Sequence, residues 1–280
     1  MSSQGLREVW NMDWSRIKTI FIFTFLILNL YLLNEFYKIY VSSQYDYMYE
    51  TSFENKLKTE EITYIELPKN IKKDHYISAT PKKFSKDELE KVSSTILKGQ
   101  VITIKNETTL ESVLAKPITI NENVNPDEWT PILKNNIFQG DQYHYWNINT
   151  TEQTITFYQQ LEGKMLYKNI NGELTFYYND NYEIVGYKQT LLEDFEEFSE
   201  DETILLPMKG IETLYENGEL SFGSKITDVE LGYYTLVHLT SSQVLTPVWR
   251  FVVNEKEDLF VNAIEGQIIQ LDNEDKKIVE

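Results

Sequence analysis

Apolar positions crowd into one early stretch of this 280-residue chain. Between Lys18 and Glu35 lie sixteen uncharged residues, TIFIFTFLILNLYLLN, whose apolar surface is interrupted by Thr24, Asn29 and Asn34. A helix of that length rises about 24 Å, short of a ~30 Å hydrocarbon core. Continuation through Phe36, Tyr37 and Tyr40, with Lys18 snorkelling outward, supplies the difference. The pattern predicts a signal anchor over 19–40. The alternative is a cleaved secretory signal, for which Val41-Ser42-Ser43 is a poor site, well beyond the apolar run. Arg7, Arg16 and Lys18 precede the span and Lys38 alone follows closely, so the N-terminal 1–18 is expected in the cytoplasm and the bulk outside. Trp10 and Trp14 on one side, and Tyr31, Phe36, Tyr37 and Tyr40 on the other, suit the two interfaces.

Beyond the span the periodicity changes. Residues 35–58 contain neither Pro nor Gly and read as a helical stalk, with Ser42-Ser43 a possible break. Ile62–Leu67 and His75–Ala79 alternate as short strands. Ser85-Lys86-Asp87-Glu88 is a capping-box pattern that opens an amphipathic helix closed by Gly99. Val101–Ile104 reads as a strand, and Pro126-Asp127-Glu128-Trp129 opens a turn or helix running to about Gly140. A meander follows at Tyr143–Ile148, Thr154–Gln160, Glu173–Tyr178 and Glu183–Thr190, with Asn171-Gly172 and Asn179-Asp180-Asn181 as turns. After a helix within Ile204–Tyr215 come strands at Lys225–Leu239, Val248–Val253, Leu259–Ala263 and Gln267–Leu271. Strands and helices segregate along the chain, which makes the expected fold class α+β with antiparallel sheets.

Charge adds a boundary. LEDFEEFSEDE, from Leu192 to Glu202, holds seven acidic residues in eleven and lacks the Gly and ligand spacing of a calcium loop. It is expected to be a solvated linker at 193–202 between two α+β subdomains, 41–192 and 203–280. The net charge is −18, and since residues 1–18 carry +1, the remainder carries −19. Such a region is ill suited to grip nucleic acid or anionic lipid. The absence of Cys excludes disulfides, thiolate metal sites and cysteine nucleophiles.

Chemical motifs are sparse. His75, His144 and His238 stand apart, with no metal-ligand spacing. No G-x-S-x-G, P-loop or G-x-G-x-x-G occurs, and no carboxylate pair is singled out. Trp129, Trp146 and Trp249 suit either a ligand cleft or, more commonly for such side chains, a core. No catalytic residue, metal site or cofactor is expected.

Met12-Asp13-Trp14, the basic residues that follow and the TIFIFTFLILNL run resemble the amino end of the YycI (WalI) family. Later segments carry the likeness onward in order: Glu183–Tyr187 with Gln189-Thr190, Leu231-Gly232-Tyr233-Tyr234, Pro247-Val248-Trp249-Arg250 and Phe260–Ile268. The final unit also resembles a PepSY-type module, with Asn262 where many such modules have Asp. The resemblance implies a non-enzymatic, membrane-anchored accessory protein of the YycG/WalK sensor histidine kinase, acting with YycH as its sister protein. A binding module for a cell-wall fragment or peptide is the alternative, and a wall-acting surface enzyme is a weaker one. With some eighteen residues before the span, influence on a kinase must pass laterally. Thr24, Asn29, Tyr31 and Phe36 are therefore the expected transmembrane partner contacts, Asn29 lying near the midplane.

Overall fold

A computed structural model describes residues 14–69, 73–121, 128–198, 200–238 and 242–270, and the chain divides after Thr59 into two compact units. The first contains helix α1 (Trp14–Thr59), 46 residues without Pro or Gly and with Lys56 and Lys58 complementing the dipole of its last turn. The segments expected as anchor and stalk are thus one helix, and Ser42-Ser43 does not interrupt it. Its apolar side chains between Ile20 and Phe36 are 49–72 % exposed and surround the axis rather than forming a stripe. Among the described residues no helix is long and apolar enough to cross a membrane. The continuous run of described side chains here covers 18–34, and those of Trp10, Trp14, Tyr37 and Tyr40 lie outside it.

The second unit is α+β. In chain order its elements begin β1 (Thr63–Tyr64), β2 (Lys73–Asp74), β3 (Ile77–Pro81), α2 (Lys86–Ser93), β4 (Gln100–Lys105), β5 (Thr109–Thr119) and α3 (Trp129–Asn136). The meander follows as β6 (Tyr143–Asn149), β7 (Thr154–Leu161), β8 (Lys164–Met165), β9 (Glu173–Tyr178) and β10 (Glu183–Gln189). Last come β11 (Leu192–Glu197), β12 (Glu202–Thr203), α4 (Pro207–Glu216), β13 (Lys225–His238), β14 (Gln243–Val253), β15 (Glu257–Asn262) and β16 (Ile268–Ile269).

One antiparallel sheet has the order β4-β5-β10-β9-β7-β6. Alternate residues of each strand, including Leu110, Ile155, Phe157, Leu174, Phe176 and Tyr187, form its buried face. Leu89, Trp129 and Leu133 from α2 and α3 pack into the same core. The N-cap half of the expected capping box forms, with the Glu88 N–H donating to Ser85 Oγ at 3.3 Å, while the Glu88 carboxylate pairs with Lys82 Nζ at 3.1 Å. The second sheet has the order β1-β13-β14-β15-β16, with β3 on β14 and β11 on β3; among its described strands the short β1–β13 pairing is parallel and the others antiparallel. Strand β14 organises it. One edge meets β13 along its length, and the other is shared by β3 at 243–245 and β15 at 248–253. Helix α4 lies close because Gly210 has no side chain: a Cβ there would stand 2.5 Å from Phe251 Cζ.

The boundary expected at 193–202 takes a different form. Its first half is β11, hydrogen-bonded to β3, and Glu202-Thr203 pairs with β2. Leu192 is buried, while Glu196 and Glu197 point to solvent. The acidic side chains solvate one side of a strand whose backbone partner, 77–81, lies far upstream. The second sheet therefore borrows 63–64, 77–81 and 192–197 from the region assigned to the first subdomain and linker.

Candidate functional site

On α1 the four expected contact residues fall on two faces. Thr24 and Tyr31 are seven residues apart and share one line, while Asn29 and Phe36 share another, about 140° away at 100° per residue. All four are exposed. The Thr24 hydroxyl is engaged within the helix, donating to the Ile20 carbonyl at 2.9 Å. The Asn29 amide has no side-chain partner among the described residues and lies beside Leu26, Leu33 and Phe36.

One buried polar cluster of the larger unit joins three residues remote in sequence. Asp74 is 3 % exposed. Its Oδ2 accepts from Lys164 Nζ at 2.7 Å, and its Oδ1 accepts from the Tyr233 hydroxyl at 2.8 Å and the His75 N–H at 3.0 Å. Lys164 Nζ lies 3.2 Å from the Tyr233 oxygen and 5.1 Å from its ring centroid. Burial, and then the Asp74 carboxylate, hold the Tyr233 hydroxyl well above the ordinary tyrosine range. A carboxylate, an ammonium and a neutral phenol satisfy one another here, which braces β2, β8 and β13 together.

A second node joins the two sheets. Arg250 of β14 donates through Nε to Asp258 at 2.7 Å and through Nη1 to Glu230 at 3.0 Å. Its guanidinium lies 4.7 Å from the ring centroid of Trp146, which β6 supplies from the other sheet. Tyr158, Tyr167, Val248 and Phe260 pack around this junction. Burial works against the charge on Arg250, but Asp258, Tyr167 and Glu230 together outweigh it and raise the pKa. Trp129 and Trp249 are core residues, 3 % and 0 % exposed, and Trp249 Nε1 donates to the Leu205 carbonyl at 2.8 Å. Trp129 also borders a surface cavity of about 210 Å³, with Leu133, Lys134, Asp141, His144 and Tyr145 in its wall.

The histidines do not converge. His75 Nδ1 faces Asp201 at 3.2 Å, His144 is exposed, and the His238 side chain lies outside the described residues. Among the described residues no three His, Cys, Asp or Glu side chains gather as a metal site. Neither polar node was assembled from the sequence, although Tyr233 and Arg250 lie in segments that carry the family resemblance and Trp146 is one of the three tryptophans named there. Asp74, Lys164 and Tyr233 have no shared motif.

A family model described as YycI protein matches residues 42–264. The chain belongs to the YycI family. Among solved structures it is similar to a protein from Eubacterium rectale at 10 % identity and TM-score 0.44, covering 76 % of this chain and 91 % of that one. The C-terminal domain of YpeB from Bacillus megaterium matches at 13 % identity and TM-score 0.40, covering 69 % of this chain and 100 % of the domain. YycH from Bacillus subtilis matches at 13 % identity and TM-score 0.39, with 72 % of this chain and 54 % of that chain covered. No curated protein matches the sequence.

The segments that carried the YycI resemblance occupy joints of the scaffold. Gly186 sits at a bulge in β10, where a Cβ would stand 2.4 Å from the Ser112 carbonyl oxygen. Gly232 lets 165–167 cross β13: a Cβ there would lie 2.3 Å from Tyr167 Cε2 and 2.5 Å from the Met165 oxygen. Asn262 Oδ1 accepts from the N–H groups of Ile264 and Glu265, at 2.9 and 3.0 Å, and so holds the β15–β16 turn. That task needs an acceptor and no charge, which Asn262 supplies.

Proposed function

We propose that this protein is a membrane-anchored, non-enzymatic regulator of the YycG/WalK sensor histidine kinase, acting with a YycH-like sister protein. Membership of the YycI family carries the regulatory reading. The anchoring is supported by an α1 whose leucines, isoleucines and phenylalanines stand exposed all round, since a helix apolar on every side needs lipid or protein cover. In this reading the N-terminus is cytoplasmic and the 60–280 unit lies outside the cell. Helix α4 and strands β13–β16 form its PepSY-like part.

The helix is the proposed channel to the kinase. Asn29 and Phe36 share one face, so that face, rather than the one bearing Thr24 and Tyr31, is the contact line. An interhelical amide bond contributes about 0.6–2 kcal/mol, enough to shift a two-state kinase several-fold. The test is Asn29→Leu in the full chain, scored by co-purification with the kinase and by output of its regulon. A several-fold change in output is expected. Unchanged association and output would reduce α1 to a tether and leave signalling to the outer unit.

A further inference from the structure

Nearly every free strand edge in this fold is guarded against pairing with another chain. Strands β1, β8, β12 and β16 are two residues long. Strand β6 is bulged between Tyr145 and Asn147, and β11 is both bulged and acidic. Strand β13 is bulged twice and crossed at Tyr233 by the segment around Leu166. Strand β4 is the exception among the described strands. It ends the first sheet, pairs with β5 over six residues without a register shift, and reads Gln-Val-Ile-Thr-Ile-Lys with no Pro. Its one charge, Lys105, leans back along the sheet toward Glu111, 3.8 Å away. Val101 on β4 and Val113 beside it on β5 are 66 % and 62 % exposed, and Ile102 and Ile104 are half-buried at the margin of the core.

We propose that β4 pairs antiparallel with β4 of a second copy of this chain, joining the two sheets about a two-fold axis at Thr103. The strand's own pattern selects this occupant and register. Centring on Thr103 keeps each face continuous, whereas a one-residue slip would turn one sheet's core face outward. Thr103 then meets Thr103, a favourable cross-strand pair, and Ile102 meets Ile104 twice on the core side. Val101 meets Lys105, so no like charges stand opposite. The segment 98–105 carries two lysines and no carboxylate, so the contact lies where the strongly acidic chain repels itself least.

The chain contains no Cys, so single cysteines report geometry cleanly. Residues opposed in an antiparallel pair have Cα atoms about 4.5–5.5 Å apart, within disulfide range. Val113, level with Val101, would stand three strand spacings across and four residues along from its mate, about 20 Å away and out of range. Full-length Thr103→Cys under mild oxidant should form a covalent dimer, and Val113→Cys should not. Thr103 is exposed, so Thr103→Lys and Thr103→Glu should each fold yet sediment as monomers, while their equimolar mixture regains the dimer. A wild-type chain that stays monomeric across a concentration series overturns the proposal. So does equal cross-linking of the two cysteine variants, or failure of the Lys and Glu variants to pair. Cross-linking of Thr103→Cys to another protein in cells, but never to itself, would assign the edge to a different partner and overturn the second-copy reading.

Discussion

Removing the Asp74 carboxylate is the sharpest way to perturb the larger unit without touching its apolar core. Asp74→Ala strips three donors of their acceptor: Lys164 Nζ, the Tyr233 hydroxyl and the His75 N–H. Breaking a buried ion pair from one side costs about 3–5 kcal/mol. Lys164 is 25 % exposed and recovers some hydration, which places the expected loss at the lower end, about 3 kcal/mol. At about 2–4 °C per kcal/mol for a unit of this size, the melting temperature should fall by about 6–12 °C. Lys164→Met leaves Asp74 charged but still hydrogen-bonded by Tyr233 and His75, so its cost should be smaller. The double variant should lose about 1–3 kcal/mol less than the two single losses added together, because the second substitution removes an already orphaned charge. The assay is urea unfolding of the full chain followed by tryptophan fluorescence, with Trp249 wholly buried as the main reporter. Additive losses, or an Asp74→Ala variant within about 0.5 kcal/mol of wild type, would show that the three residues do not act as a unit.

Gly232→Ala should destabilise by about 2–3 kcal/mol, read from the same urea curves, since the new methyl meets the Met165 backbone oxygen as well as the Tyr167 ring. At Asn262, Ala should cost about 1–2 kcal/mol by orphaning two N–H groups, whereas Asp should stay within about 1 kcal/mol of wild type. Burial raises the pKa values of Tyr143, Tyr158, Tyr167, Tyr187 and Tyr233 above that of an unfolded tyrosine, near 10. Their contribution is complete below pH 10. Above it the unfolded state loses protons that the folded state keeps, so stability should fall by up to about 1.4 kcal/mol per pH unit for each residue. In an alkaline titration, phenolate absorbance of these residues should rise only with unfolding; ionisation near pH 10 in an intact fold would contradict the burial argument.

Local grammar was legible in the sequence wherever partners were near. The Asn and Gly turns and the alternating Tyr, Phe and Thr residues located β6, β7, β9 and β10 to within about two residues, and Ser85 located the start of α2, although that helix ends at Ser93 rather than at the expected Gly99. Long-range pairing was not legible. Strand β5 escaped notice because Glu111, Lys116 and Pro117 blur its alternation, although Leu110, Ser112 and Leu114 face inward as a strand requires. Strand β11 was hidden by carboxylates that decorate its solvent side while its backbone finds β3. The Asp74 brace had no signature at all, since 90 residues separate Asp74 from Lys164 and 69 separate Lys164 from Tyr233. The family segments pointed to the right places for a structural reason: their glycines and Asn262 mark close approaches and a turn that few other residues satisfy.

The proposed regulation of the kinase by an α+β unit held at a membrane anchor, rather than by chemistry of its own, is open to a comparison of two forms of the chain in cells lacking the native copy. One is the full sequence, and the other carries a cleavable secretory signal in place of residues 1–40, so that the outer unit is released. The measurement is the phosphorylated fraction of the response regulator that the kinase serves. The account predicts that the anchored form restores the wild-type fraction and the released form, at equal abundance, does not. Full restoration by the released form, or no change in phosphorylation with either, would contradict it.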